Sequence, residues 1–149
     1  MAEVVKRRQR VRPRELGALI LDNEGLSRAA TDRAMYVRLH AAHLDGRRVL
    51  TSAAILAEAL RGTPRDAGIH RVLGGVVVEP VSKALGERAG KLIGAAGLAT
   101  DQAVDAMVAA TALAQEGPVV IVTSDVPHLT ALTAGHERVQ TVHVDKIGR

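Results

Sequence analysis

Short runs of consecutive apolar residues recur along the chain and predict strands that are buried on both faces. The clearest run is 119–122, four β-branched residues in a row. Such a run cannot alternate between a core face and a solvent face, as a strand of a half-exposed antiparallel sheet does. Four further strands are predicted at 17–22, 49–51, 76–78 and 139–144.

The segments between these strands carry apolar residues at helical spacing. Ser52 and Thr100 each precede such a segment and are suitable N-caps. Three glycines spaced four apart, at 86, 90 and 94, lie on one face of a predicted helix, and we expect them to allow close packing against the sheet. Helices are predicted at 26–45, 53–61, 64–73, 82–96, 101–116 and 127–134.

The alternation of strands and helices predicts an α/β fold. Because strands joined through helices pair in parallel, we expect a three-layer α/β/α sandwich with a mostly parallel central sheet. The chain has 149 residues, a length that suits one domain with one core. That core is aliphatic, since the chain contains no Phe, no Trp and a single Tyr.

The amino-acid composition limits the cellular location of the protein and the kinds of metal site that it can form. The chain has no Cys, which excludes a disulfide framework and a thiolate metal site. Its apolar runs are far shorter than the ~20 residues of a membrane-spanning helix. The apolar run that follows the basic start is short and predicts a core strand rather than a signal peptide. We expect a cytoplasmic protein.

The positive charge is concentrated at the N-terminus. The net charge is +4, and residues 1–15 are predicted to form a basic, flexible tail that precedes a single domain over 16–149. Such a tail is either a solvated segment or a contact for a polyanion such as RNA. No aromatic residues interleave the charges, so base stacking is not favoured. The cationic residues of the tail are Lys6, Arg7, Arg8, Arg10, Arg12 and Arg14.

Four acidic residues have mainly apolar neighbours. Asp22 and Asp125 follow predicted strands, and Glu58 and Asp105 lie within apolar helical segments. Ligands of parallel sheets bind beyond the carboxyl ends of the strands, where the first two acids are expected. A buried carboxylate needs a partner; of the two helical acids, Glu58 has a candidate at helical spacing, Arg61, and Asp105 has none. For any single acid an ordinary cap or ion pair is the commoner explanation.

A shared divalent cation would satisfy several of these carboxylates together. Oxygen ligands, with neither cysteine nor clustered histidine, favour Mg²⁺ or Mn²⁺ over zinc. Such an ion can activate a water and stabilise an in-line displacement at phosphorus. The acids therefore indicate metal-dependent phosphoryl chemistry.

The sequence around the four acids resembles the acidic motifs of the PIN-domain family. It is most similar to the VapC-type toxin ribonucleases of type II toxin–antitoxin systems. The resemblance extends from about residue 17 to residue 144 and depends on the order and spacing of the motifs. The matching segments are 19–22, 51–62, 104–109 and 123–125.

The resemblance implies both a site and an activity. Asp22, Glu58, Asp105 and Asp125 would be the catalytic residues and would hold one or two Mg²⁺ or Mn²⁺ ions, with Thr123 supporting them through its hydroxyl. The protein would be an endoribonuclease in which an activated water attacks the phosphodiester and leaves 3′-hydroxyl and 5′-phosphate ends. The implied partners are an RNA substrate, a cognate antitoxin bound near residues 26–73 and a second copy in a homodimer. The first strand would be central in the sheet.

Some assignments remain open. Glu24 and Asp101 either join the metal site or serve as first-turn acids of the next helices, and the second role is favoured. The six histidines form no zinc pattern, and His128 either touches substrate or makes a local contact. Two other functions are compatible with the sequence. One is a PIN-fold RNA-binding or regulatory protein without nuclease activity. The other is a phosphatase-like or receiver-like domain, for which Lys146 is a poor candidate lysine.

Overall fold

In the part of the chain that the structure describes, the central element is a five-stranded sheet. The computed structural model describes residues 16–147, so the predicted basic tail at 1–15 lies outside the described residues. The strand order is β3-β2-β1-β4-β5, and every neighbouring pair is parallel. The α/β prediction is confirmed, with a sheet that is wholly rather than mostly parallel, and β1 is central as the resemblance implied. The strands are β1 (Ala18–Leu21), β2 (Arg48–Ser52), β3 (Val77–Glu79), β4 (Val119–Thr123) and β5 (Val139–His143).

Within residues 16–147, seven α-helices cover the sheet. Strands β1 to β3 are added in one direction and β4 and β5 in the other, so right-handed crossovers put α1–α4 on one face and α5–α7 on the opposite face. Packing agrees, since α1 contacts α2 and α4, while α6 contacts α5 and α7. The helices are α1 (Asn23–Thr31), α2 (Arg33–Leu44), α3 (Ala53–Ala59), α4 (Ala67–Leu73), α5 (Lys83–Ala96), α6 (Ala103–Leu113) and α7 (Val126–Leu132).

The core lies between the central strands and these helices. All four residues of β1 are buried, and Ile20, Leu21, Ile121 and Val122 have no exposed surface. This burial on both faces is what the uninterrupted apolar runs predicted. Within the described range 16–147, no helix is both long enough and apolar enough to cross a membrane.

The predicted helix at 26–45 is in fact two helices. Asp32 separates α1 from α2, with an extended backbone conformation at φ −109° and ψ 115°. Its side chain accepts a hydrogen bond from the Ala34 N–H at 2.9 Å and so caps α2. A short polar side chain that bonds to nearby backbone favours a cap over a helix interior. Ser52 caps α3 as predicted, accepting from the Ala54 N–H at 3.2 Å.

Two other elements differ from the predictions. The helix expected at 101–116 is the shorter α6, preceded by a 3-10 turn at Thr100–Gln102, and Thr100 makes no capping hydrogen bond. Strand β3 was expected to be buried, but it forms an edge of the sheet and its Val77 is 54% exposed. An edge strand has a neighbour on one side only, which reduces the burial of its side chains.

The glycines of α5 do not mediate close packing. A Cβ added at Gly86, Gly90 or Gly94 would find no atom within 4 Å. The expected contact with the sheet at these positions is therefore wrong, and the glycine stripe faces open space.

Candidate metal centre

Two of the four predicted acids lie between β1 and β4, where the direction of the strand connections reverses. β1 and β4 are neighbours, and the connections from them lead to opposite halves of the sheet. Ligand sites of open parallel sheets lie in the crevice at such a reversal. Asp22 directly follows β1, and Asp125 is the second residue after β4. The topology therefore places both carboxyl groups at the edge where a parallel sheet binds its ligands.

Asp22 is fixed by the start of α1. It is only 6% exposed, and its Oδ1 accepts a hydrogen bond from the Gly25 N–H at 3.0 Å. A Cβ at position 25 would lie 3.2 Å from the Val122 carbonyl oxygen, so glycine lets the first turn of α1 approach β4. Burial raises the pKa of Asp22, against the opposing effect of hydrogen bonds from Thr123 and Gly25.

Thr123 connects two of the acids. Its side chain is fully buried at the end of β4. The hydroxyl accepts a hydrogen bond from the Asp125 N–H at 2.9 Å and donates one to the Asp22 carboxylate. Thr123 thereby orients both Asp22 and the chain that carries Asp125.

The pKa of Asp105 is strongly affected by its surroundings in the site. It lies in the first turn of α6 and is partly buried. Burial is the largest cause that raises its pKa, to about 6, followed by the charge of Asp125 and a hydrogen bond to it. The charges of Asp22 and Glu58 raise the pKa further. All four predicted acids therefore contribute to one region of negative potential.

Glu58 reaches this region from the opposite helical layer. It is exposed near the end of α3, and α3 contacts α6, the helix of Asp105. Arg61, the sequence-predicted partner of Glu58, instead donates to the carbonyl oxygens of Ala57 and Leu60. Among residues 16–147, no Lys or Arg forms an ion pair with Asp22, Glu58 or Asp105.

Asp125 and His128 form a close pair at the start of α7. Asp125 caps the helix, and the imidazole Nδ1 of His128 lies 2.6 Å from Asp125 Oδ2. Burial acts to raise the pKa of Asp125, but hydrogen bonds from His128 bring it below its ordinary value. The pKa of His128 is raised, first by its hydrogen bond to Asp125 and also by the charges of Asp125, Asp105 and Asp101.

A compact group of potential metal ligands results. One ligand atom each from Asp105, Asp125 and His128 lies within 4.8 Å of the other two, and in the described part of the chain this is the one such group. Asp22 and Glu58 lie outside the group and act on Asp105 through their charge. From the sequence alone, His128 either touches substrate or makes a local contact, although its position three residues after Asp125 puts both on one helical face.

The two other acids left open have identifiable positions. Glu24 lies exposed in the first turn of α1, and its charge raises the pKa of the adjacent Asp22. Asp101 lies exposed in the 3-10 turn before α6 and contributes to the raised pKa of His128. Neither belongs to the compact ligand group.

The fold is similar to two solved complexes with DNA. A chain of the FitAB structure bound to an IR36 DNA fragment matches with a TM-score of 0.58 and 18% identity, over 85% of this chain and 94% of that chain. A chain of VapBC2 from Rickettsia felis, bound to a DNA fragment from their promoter, matches with a TM-score of 0.61 and 13% identity, over 85% and 98%. No protein-family model and no curated protein matches the sequence. At these identities the similarity is one of fold.

Proposed function

We propose that the protein is a Mg²⁺- or Mn²⁺-dependent endoribonuclease of the PIN type and the toxin of a toxin–antitoxin pair. The observation that carries the proposal is the close approach of Asp105 and Asp125 at the carboxyl edge of the sheet, where Asp22 and Glu58 add their negative charge. Four acids far apart in sequence thus act on one place at the carboxyl edge of the sheet. The likeness of fold to FitAB and VapBC2 chains supports the same interpretation.

The residues present fit a divalent cation. Carboxylate oxygens are the ligands that Mg²⁺ and Mn²⁺ favour, and within residues 16–147 no Lys or Arg pairs with Asp22, Glu58 or Asp105. Asp105 and Asp125 would hold the ion directly, with Asp22 and Glu58 completing the negative surroundings. A bound cation of this kind polarises a phosphodiester and lowers the pKa of a water molecule.

The chain's own residues prepare this site. The Gly25 N–H and the Thr123 hydroxyl hold Asp22 in one orientation, so little ordering is needed when the ion binds. Thr123 also fixes the backbone before α7 through the Asp125 N–H. A bound cation would favour the ionised form of Asp105, because it offsets the three neighbouring negative charges. These residues would serve RNA cleavage by positioning ligands rather than by covalent chemistry.

The proposed partners are an RNA substrate, a cognate antitoxin and a second copy of the chain. A cleft of about 390 Å³ between α1, α2 and α4, lined in part by Ala29, Tyr36 and Arg71, is our candidate surface for the antitoxin. Tyr36 is 46% exposed, a large side chain available for such a contact. The basic tail and surface arginines would add sequence-independent affinity for RNA phosphates. We propose a cytoplasmic location for this activity.

The test is cleavage of RNA by matched variants. Purified full-length protein is incubated with total RNA in Mg²⁺, Mn²⁺ or EDTA, and the fragment ends are mapped. Asp22→Asn and Asp105→Asn should each reduce cleavage by ~100-fold or more, since each removes a negative charge of the site while the side-chain shape is kept. Asp32→Asn is the matched control, because asparagine also caps helices and Asp32 lies at the other end of α1 from Asp22.

Two results would overturn the proposal. One is cleavage that continues unchanged in EDTA, and the other is wild-type cleavage by Asp105→Asn. RNA binding without cleavage in any metal would instead identify the non-nuclease alternative. Expression in cells provides an independent reading, because only the wild type and Asp32→Asn should inhibit growth.

A further inference from the structure

A nitrogen donor lies within the otherwise oxygen-based centre. The imidazole of His128 belongs to the same 4.8 Å group as the Asp105 and Asp125 carboxylates. We infer that His128 is a direct ligand of the bound cation and that the site therefore prefers Mn²⁺ to Mg²⁺. This inference rests on the proposed metal-dependent function and adds to it a ligand and a metal preference.

The local structure orients the imidazole for this role. His128 lies in the first turn of α7, and its backbone N–H donates to Asp125 Oδ1 at 3.4 Å while its Nδ1 lies 2.6 Å from Oδ2. Asp125 and His128, three residues apart, are thus joined by two contacts, and these hold the imidazole ring beside the carboxylate. An ion can replace the hydrogen between Nδ1 and Oδ2 and be held by both atoms, with the remaining ring proton on Nε2.

The imidazole ring is also accessible from solvent. The side chains of His128 and Asp125 are 40% and 36% exposed. A cation can therefore reach the ring without any movement of the core, and Asp105 approaches the same place from α6. A ring buried in the core would instead have indicated a purely structural hydrogen bond.

The donor set determines the preferred ion. Mg²⁺ keeps water and oxygen ligands, whereas imidazole nitrogen suits later divalent ions, and affinity rises from Mn²⁺ towards copper along the Irving–Williams order. Two carboxylates with one imidazole form a mixed site in which Mn²⁺ gains from the nitrogen and Mg²⁺ gains little. In the alternative arrangement, His128 pairs with Asp125 and does not contact the ion.

Electron paramagnetic resonance of the full-length protein loaded with Mn²⁺ distinguishes these arrangements. A coordinated imidazole adds a ¹⁴N coupling to the electron spin-echo modulation of the ion. We expect that coupling in the wild type, its loss in His128→Gln and its retention in His136→Gln, which changes an exposed histidine outside the ligand group. In competition titrations, His128→Gln should lower the Mn²⁺-to-Mg²⁺ affinity ratio by ~10-fold.

The outcomes separate this inference from the proposed function. Bound Mn²⁺ without nitrogen coupling, together with an unchanged affinity ratio in His128→Gln, overturns the role of His128 and leaves a carboxylate site in place. A wild type that binds no Mn²⁺ at all overturns both proposals. The wild-type spectrum needs no variant, so the measurement remains decisive even where His128→Gln fails to fold.

Discussion

At the scale of single residues, Asp105 couples the proposed site to the stability of the protein. Its pKa is raised from 3.8 to about 6 in the folded state, chiefly by burial and by Asp125. The folded protein therefore binds this proton more tightly than the unfolded chain does. The stabilising contribution is complete below the unfolded pKa and is lost as the pH rises through the folded value. A charged Asp105 thus lowers the free energy of unfolding in the metal-free protein near neutral pH.

Asp105→Asn should consequently stabilise the metal-free protein. In EDTA at pH 7.5 we expect a higher free energy of unfolding for the variant, because the neutral amide avoids the cost of a charged carboxylate. The gain should shrink as the pH falls from 6 towards 4, where the wild-type carboxyl takes up its proton. Urea denaturation across this range measures the difference, with Asp32→Asn as control. An equal gain at every pH would contradict the electrostatic explanation.

A second prediction at this scale concerns the hydroxyl group of Thr123. Thr123→Val removes a buried hydroxyl that accepts from the Asp125 N–H and donates to Asp22. We expect a loss of ~1–3 kcal/mol in unfolding free energy, because buried polar groups lose their partners. Thr123→Ser keeps the hydroxyl and should recover most of the metal affinity, measured by Mn²⁺ titration. A valine variant that binds Mn²⁺ as tightly as the serine variant would refute the role of the hydroxyl.

The sequence indicated individual candidate residues more readily than the distances between them. Asp22 and Asp125 could be predicted because an abrupt change to polar residues marks the end of a buried strand. Asp105 could be predicted from its apolar neighbours. The inferred participation of His128 depends on a side-chain orientation set by the cap of α7, which no periodicity encodes. Distances between residues on separate elements likewise follow only from the assembled sheet.

At the scale of elements, the sequence predicted the strands more accurately than the helix boundaries. Apolar runs define a doubly buried strand directly, and β1 and β4 lie where such runs occur. The break at Asp32 was missed because apolar spacing continues across it, while the decisive factor is one hydrogen bond to Ala34. The exposure of β3 was missed because its edge position depends on strand order, which is a property of the whole sheet.

The glycine that precedes β1 leads to a prediction about the stability of this strand. Gly17 has φ +87°, and a Cβ there would lie 2.2 Å from the backbone oxygen of Pro118. Gly62 has φ +74° with no atom within 4 Å of such a Cβ. A substitution there therefore measures the cost of the positive φ without a steric clash. We expect Gly62→Ala to lose ~1–2 kcal/mol and Gly17→Ala to lose ~3 kcal/mol or more. Thermal and urea unfolding measure both, and equal losses would contradict the close approach.

At the scale of the whole molecule, a bound ion should stabilise the fold. The proposed ligands come from α6 and α7 and their neighbours from β1 and α3, so an ion at this place binds only the folded chain. Mn²⁺ at a hundredfold excess over its dissociation constant should add ~2.7 kcal/mol to the unfolding free energy. Differential scanning calorimetry tests this, and Asp105→Asn should lose most of the effect. A wild type that melts identically with and without Mn²⁺ would contradict the assignment.

The strand order has a consequence for biosynthesis. β1 emerges from the ribosome before the other four described strands. Its neighbour β4 and the pair Asp125 and His128 belong to the last third of the described chain. A nascent polypeptide that ends before residue 119 lacks one flank of its central strand and two members of the ligand group. Under the proposed activity, an incomplete translation product is harmless, and RNA cleavage begins only after translation has passed α7.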